Sequence, residues 1–191
     1  MRNFLVYISA LYFTFFCIGC KSREVKVEET INQMKSNPVS IPFSSMSCWI
    51  NDTIQNNRPW EKAKMKLVVY TDSSSCSKCT LKQMYIWNDF VEFEHKYKND
   101  FYIIFVFQTT PTINSKKMAS DFHLTELNHP IYIDSLSLLS KNNPHIPFQD
   151  PMYQIFLLDE KNRVALVGSP LYNTKIEDSL LETLNDKLKN K

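Results

Sequence analysis

The hydrophobic pattern of the chain changes period several times, and each change predicts a different element. The apolar run Leu67–Tyr70 predicts a short buried strand. After the polar stretch Thr71–Ser75, apolar residues recur at three- and four-residue steps, which predicts a helix from Cys76 to about Lys98. The apolar run Phe101–Phe107 then predicts a strand buried on both faces, as in the centre of a parallel sheet. Strand, helix and strand in this order predict a right-handed βαβ unit.

Shorter elements follow this unit along the chain. Asn114–Leu124 predicts a second, weaker helix, and Pro130–Ile133 predicts a short strand with a helical turn behind it at Leu136–Leu139. Two apolar runs, Gln154–Leu158 and Arg163–Val167, flank a charged turn and predict a β-hairpin. The pattern as a whole therefore indicates an α/β domain.

Each end of this domain also carries a patterned element. Residues alternate between two faces within Phe43–Ile54, which predicts a hairpin that places Cys48 on one face. Near the other end, Thr174 and Glu177 have the spacing of a capping box, and the apolar residues behind them predict a final helix reaching Leu188.

The first residues of the chain have the composition of an export signal. A short basic start precedes Phe4–Ile18, which is uncharged and mostly apolar. A membrane span needs about 20 residues, so this stretch is short for one. It fits the apolar region of a signal peptide. It ends in Gly19-Cys20, which resembles a bacterial lipoprotein cleavage site and predicts a lipid, such as palmitate, on Cys20. An ordinary signal peptide or an uncleaved anchor helix would also fit the apolar stretch.

These features predict three regions. Residues 1–19 are expected to be a lipoprotein signal peptide, 20–37 a polar tether with a short helix over Glu28–Met34, and 38–191 one domain. The domain is expected in the cell envelope, anchored to the inner or outer membrane and exposed to the periplasm or the cell surface. The formal net charge of +2 argues against a nucleic-acid partner.

The candidate chemistry lies in a C-x-x-C motif between the first strand and its helix. Cys76 and Cys79 enclose Ser77 and Lys78, with Ser75 in front of them. The first turn of a helix has unpaired N–H groups and the positive end of the macrodipole, so it stabilises a thiolate. Cys76 would be the exposed attacking thiol, and Cys79 would resolve a mixed disulfide. A C-x-x-C pair in this context indicates redox chemistry.

With this motif, the chain resembles thioredoxin-like lipoproteins of the redoxin type, which are related to membrane-tethered thiol–disulfide oxidoreductases and to the alkyl hydroperoxide reductase group. The resemblance runs roughly from Lys66 to the C-terminus and includes the hairpin Ile155–Val164. It implies a thioredoxin-like fold: a central mixed β-sheet flanked by helices, with an N-terminal hairpin and a strand–helix insertion. It further implies a thiol–disulfide oxidoreductase without a cofactor, whose partners are protein disulfides and a membrane thiol reductant.

The chain departs from this family at several site positions. The register of the family's cis-proline falls on Tyr153, two residues after Pro151, and Tyr153 is expected to be trans because a non-proline cis bond is costly. Ser75 stands where an aromatic residue often precedes the first cysteine. The strand position of the family's buried acid falls near Tyr70, whereas Asp72 is closer to the cysteines and is expected in the turn.

Other functions remain open from the sequence. The domain could be a catalytically degenerate binding or scaffold lipoprotein in which Cys76 and Cys79 form a static disulfide. Cys48 fits a buried small hydrophobe, although a second resolving thiol is the other interpretation. No metal site is expected, because there is one C-x-x-C and the histidines show no paired spacing; we expect them on the surface or in loops.

Overall fold

The computed structural model describes residues 23–72, 84–109, 127 and 129–188. The chain divides into two compact units, Met1–Ser36 and Asn37–Lys191. In the first unit, residues 23–36 form helix α1, which is longer than the predicted segment Glu28–Met34. Within the described parts of the chain, every helix is too short or too polar to cross a bilayer.

The second unit is built from seven strands and three helices of the described chain. The strands are β1 (Ser47–Ile50), β2 (Thr53–Ile54), β3 (Met65–Thr71), β4 (Phe101–Gln108), β5 (Ile131–Asp134), β6 (Ile155–Leu158) and β7 (Val164–Val167). The helices are α2 (Asn88–Glu94), α3 (Leu138–Asn142) and α4 (Thr174–Leu188). Short 3-10 turns lie at Phe43–Ser45, Pro59–Lys62, Met84–Trp87, His95–Tyr97 and Pro151–Tyr153.

The strands form one mixed sheet in the order β2-β1-β5-β4-β3-β6-β7. Strands β3, β4 and β5 are mutually parallel neighbours, whereas β6 runs antiparallel to β3 and β7 antiparallel to β6. The β1–β2 hairpin adds to the far side of β5, also antiparallel. This chain order and strand order define a thioredoxin-like fold, with the expected N-terminal hairpin and with β5 and α3 as the strand–helix insertion.

The main core lies on one face of this sheet. It contains alternate residues of the two long strands, such as Leu67 and Phe105, with Trp87 before α2 and Leu184 of α4. The ring of Trp87 meets that of Phe105 edge to face, with 5.6 Å between the centroids. The strand predicted at Phe101–Phe107 is confirmed, and its residues are fully buried except for Tyr102, which is half-buried. Burial of both faces explains why this strand reads as a continuous apolar run.

Two predicted helical features differ in the structure. The helix expected to run continuously to Lys98 is, in its described part, a 3-10 turn, the short helix α2 and a second 3-10 turn. The break falls before Asn88 and Asp89, whose side chains compete for backbone hydrogen bonds and disfavour a helix interior. The cap of α4 is Asn173 and not the predicted Thr174, since Oδ1 of Asn173 accepts the Lys175 amide at 3.0 Å.

The first segment of the second unit is held by hydrogen bonds to two asparagines. Oδ1 of Asn143 accepts the backbone N–H of Ser40 at 2.8 Å, and Nδ2 donates to the Ser40 carbonyl at 2.8 Å. Nδ2 also donates to the Leu139 carbonyl at 2.7 Å. One residue earlier, the Val39 amide donates to the Asn162 carbonyl. The fully buried amide of Asn143 thus takes the place of a strand partner for Ser40.

Candidate active site

The candidate site lies at the edge of the sheet where the parallel strands end. Because β3, β4 and β5 run in one direction, their carboxyl ends share this edge. Asp72 follows β3, Thr109 follows β4, and Asp134 ends β5. Cys76 comes four residues after Asp72 in the chain. The predicted site residues Ser75, Cys76, Ser77, Lys78 and Cys79 all lie outside the described residues, as does the predicted helix Asn114–Leu124.

Tyr70 lies in β3, near the position at which the sequence resemblance predicts a buried acid. Its side chain is buried, and its hydroxyl donates a hydrogen bond to Oε1 of Gln108. Nε2 of Gln108 donates in turn to Oγ of Ser137 at 2.7 Å. Burial, with smaller contributions from the charges of Asp134 and Asp72, raises the pKa of Tyr70 to about 12. The position therefore carries a neutral hydroxyl at physiological pH.

Asp72 is half-buried at the end of β3 and is held by Gln154. Nε2 of Gln154 donates to Oδ2 of Asp72 at 3.2 Å and to the carbonyl of Phe148 at 2.7 Å. The Gln154 carbonyl also accepts the backbone N–H of Tyr70 at 2.9 Å. Gln154 thus joins the end of β3 to the loop before β6. Its role was not predicted; the one signal in the sequence is a polar residue at the start of an apolar strand.

Tyr153 and Pro151 lie in the 3-10 turn that leads into β6. Tyr153 is buried, whereas Pro151 is exposed. Oδ1 of Asp150 accepts the Met152 amide at 3.0 Å and caps this turn. Every peptide bond of the described residues is trans. This includes the bond at Tyr153, as predicted, and the bond at Pro151.

A second carboxylate at this edge was missed by the sequence reasoning. Asp134 is buried, and its two oxygens accept the amides of Leu138 at 2.9 Å and Leu139 at 2.8 Å. These bonds satisfy the first free N–H groups of α3. The carboxylate therefore anchors the inserted helix beside Gln108 and Ser137.

His129 lies in the loop before β5, in line with the expectation that the histidines lie on the surface or in loops, but its side chain is buried. This side chain is only 4% exposed and pairs with the buried carboxylate of Glu94 at 3.2 Å. Glu94 also accepts the amide of Ile103, near the amino end of β4 and away from the candidate site. No local pattern indicates this pair, because its members are 35 residues apart. Among the described residues there is no cluster of side chains suited to a metal ion.

Cys48 lies on β1, opposite Tyr132 of β5. It is fully buried, and burial raises the pKa of its thiol to about 11, although Arg58 and a hydrogen bond with Tyr132 act in the opposite direction. At physiological pH it is a protonated, buried thiol. These properties match the interpretation of Cys48 as a buried small hydrophobe.

Solved structures with a similar fold come from several bacteria. A candidate protein disulfide isomerase from Bacteroides thetaiotaomicron is 19% identical, with 80% of this chain and 93% of that chain covered and a TM-score of 0.48. The exposed lipoprotein thioredoxin of Streptococcus pneumoniae is 14% identical, with 74% and 98% covered and a TM-score of 0.44. An uncharacterized thioredoxin-like protein from Porphyromonas gingivalis is 12% identical, with 81% and 95% covered and a TM-score of 0.46.

No protein-family model matches the chain, and no curated protein matches its sequence. The thioredoxin-like class rests on the order and direction of the strands: parallel β3 and β4, then the antiparallel hairpin β6–β7, then the final helix α4.

Proposed function

We propose that the protein is a thiol–disulfide oxidoreductase of the cell envelope that exchanges disulfides through Cys76 and Cys79. The observation that carries this proposal is the position of β3. This strand lies between β4 and β6 in a thioredoxin-like sheet and ends at Thr71, five residues before Cys76. A C-x-x-C motif directly after such a strand is typical of thiol–disulfide chemistry.

The proposed reaction transfers two electrons from the cysteine pair to a protein disulfide. The Cys76 thiolate attacks one sulfur of the substrate disulfide, forms a mixed disulfide and releases the other substrate sulfur as a thiolate, which takes up a proton. Cys79, deprotonated in turn, then attacks the sulfur of Cys76. The mixed disulfide breaks, the substrate leaves as a dithiol, and Cys76 and Cys79 are joined by a disulfide. A membrane thiol reductant would restore the pair.

The export signal supports a place in the cell envelope. A lipid on Cys20 would hold the protein on the inner or outer membrane, with the domain in the periplasm or at the cell surface. This location is oxidising, so protein disulfides form and persist there.

A second function is a binding or scaffold lipoprotein in which Cys76 and Cys79 form a static disulfide. The observation that favours it is Tyr70. Its neutral, hydrogen-bonded hydroxyl lies near the position at which the sequence resemblance predicts a buried acid. A scaffold protein would not require a side chain that takes up and releases protons at this position.

Two measurements on the full-length protein separate these functions. The first is the equilibrium of the Cys76–Cys79 pair in a glutathione redox series, followed by alkylation and peptide mass spectrometry. We expect a potential between about −270 and −120 mV, as in known oxidoreductases; a potential below about −300 mV indicates a structural bridge. The second is trapping in cells: Cys79→Ser should accumulate mixed disulfides, and Cys76→Ser/Cys79→Ser is the matched control. Equal amounts of adduct in both would reject the proposed reaction.

A further inference from the structure

A buried histidine–glutamate pair lies beside β4 at the point where β5 has not yet begun. Strand β5 pairs with β4 from Phe105 onward, so among the described strands the first residues of β4 have a neighbour on one side only. There the N–H of Ile103 donates to Oε2 of Glu94, the last residue of α2, at 2.7 Å. Nε2 of His129 lies 3.2 Å from the same oxygen. The pair thus joins α2 to β4 and to the segment before β5.

The contacts of the His129 ring indicate which protons it carries. Nδ1 lies 3.1 Å from the carbonyl oxygen of Pro130, which can only accept a hydrogen bond, so Nδ1 carries a hydrogen. Oε2 of Glu94 accepts the Ile103 amide at 2.7 Å, a short bond typical of a charged acceptor. Opposite an ionised Glu94, Nε2 must carry a hydrogen as well. In this arrangement His129 is therefore an imidazolium cation.

The surroundings of the His129 ring suit a cation. The Tyr102 ring lies against it, with the centroids 4.8 Å apart, which is within the about 6 Å over which an aromatic ring attracts a cation. Both side chains of the pair are only 3% exposed. An isolated charge would be costly at such a position, and the opposite charge of Glu94 offsets that cost.

The other titratable groups near the pair do not supply the opposite charge. On β4, burial and, to a smaller extent, the charge of Glu94 raise the pKa of Tyr102, which is therefore neutral. On β1, burial raises the pKa of Cys48 to about 11. On β3, Lys66 lies opposite Tyr102 and donates to the turn of the β6–β7 hairpin at 3.2 Å. The remaining charged or titratable side chains of α2 and of the turn behind it are exposed: Asp89, Glu92, His95, Lys96 and Lys98.

We propose that His129 and Glu94 form a pH-sensitive latch, which holds the end of α2 against β4 and the segment before β5. The latch is closed while His129 is an imidazolium cation. When the ring releases a proton to the solvent, one ring nitrogen keeps only a lone pair. That lone pair then faces either the Pro130 carbonyl or the Glu94 carboxylate, and the attraction between opposite charges is lost.

The end of α2 is therefore held more weakly at alkaline than at mildly acidic pH. This inference concerns the scaffold of the domain and stands independently of the proposed thiol–disulfide function.

The first test is NMR of the unsubstituted, full-length protein from about pH 5.5 to about pH 9.5. The ring nitrogen shifts of His129 should show two protonated nitrogens at the acidic end and one at the alkaline end. The amide proton shift of Ile103 should change along the same curve. Hydrogen exchange of this amide, corrected for the intrinsic effect of pH, should become about tenfold faster once the ring is neutral, because a charge-assisted contact is lost.

A substitution separates His129 from other titrating groups. His129→Gln removes the titrating ring and keeps an amide that can donate to Glu94, so the Ile103 shift should stay constant over the same pH range. His95→Gln is the matched control, since it removes an exposed histidine next to Glu94 and should leave the Ile103 curve unchanged.

Three results would overturn the inference. The first is a native His129 ring with one protonated nitrogen at about pH 5.5, and the second is a ring that keeps both protons at about pH 9.5. The third is an Ile103 curve that persists in His129→Gln. The first two are measured on the native protein, so they decide the question even if His129→Gln does not fold.

Discussion

Nε2 of His129 lies 3.2 Å from Oε2 of Glu94, and both side chains are buried in the domain. Nδ1 of His129 lies 3.1 Å from the Pro130 carbonyl oxygen, so both ring nitrogens are within hydrogen-bonding distance of an oxygen atom. The same Oε2 of Glu94 accepts the Ile103 amide at 2.7 Å. Through its contacts with Ile103 and Pro130, the pair therefore connects the end of α2 to β4 and to the segment before β5.

Removing Glu94 should destabilise the domain strongly. Glu94→Ala leaves His129 and the Ile103 amide buried without their partner, and breaking a buried pair in this way costs about 3–5 kcal/mol. Urea unfolding followed by circular dichroism measures the change in the free energy of unfolding. Lys64→Ala is the control, because it breaks the half-exposed ion pair with Asp100 and should cost less than about 1 kcal/mol. Similar costs for the two variants would contradict the role assigned to Glu94.

Cys48 should be almost unreactive in the folded protein. Burial raises its pKa from 9.0 to about 11, so its thiolate fraction at pH 8 is lower by about a hundredfold. Because the folded pKa is the higher one, folding favours the protonated thiol, and the stability this contributes is lost as the pH rises from about 9 to about 11. Alkylation of Cys48 at pH 8, resolved by peptide mass spectrometry, should be at least about a hundredfold slower than in urea. Labelling at comparable rates in the two states would show that Cys48 is accessible.

Gly168 should not tolerate a side chain. Its φ of +120° is a conformation that residues with a Cβ rarely adopt, and a Cβ there would overlap Cδ1 of Ile176. We expect Gly168→Ala to lower the free energy of unfolding by about 1–3 kcal/mol, mainly through backbone strain, because Cδ1 is the movable end of the Ile176 side chain. The measurement is again urea unfolding.

Ile176→Val separates these two causes, because it removes the overlapping Cδ1. In the double variant Gly168→Ala/Ile176→Val, the overlap is relieved and the backbone strain remains. Because Cδ1 can move aside, the combined cost should be smaller than the sum of the single costs by no more than about 0.5 kcal/mol. A larger difference would show that the Ile176 side chain cannot move away from residue 168.

Much of the fold could be predicted because its signals are local. The run Phe101–Phe107 became a strand buried on both faces, and the alternation in Phe43–Ile54 became the β1–β2 hairpin. The predicted hairpin around the charged turn is β6–β7. Helix ends were less accurate: the cap of α4 is Asn173, one residue before the threonine of the apparent capping box. Ser, Thr and Asn can all cap a helix, so the pattern alone does not choose between neighbours.

The surroundings of the site could be predicted only in part, because they depend on contacts between distant residues. The sequence resemblance put the position of the family's buried acid near Tyr70, and the structure places Tyr70 within β3. Its partner Gln108 lies 38 residues away, and Gln154 is 82 residues from Asp72. Buried polar side chains of this kind are selected by their partners, and no single-chain periodicity records the pairing.

The hydrogen bonds of Asn143 also affect how a mechanical load would reach β1. Between Pro38 and β1, Ser40 is held by hydrogen bonds to Oδ1 and Nδ2 of Asn143. A pull on this segment would therefore load the side chain of Asn143 and the neighbouring hydrogen bond from Val39 to Asn162 before it reached β1. Strand β1 would bear the full load only after these hydrogen bonds had broken.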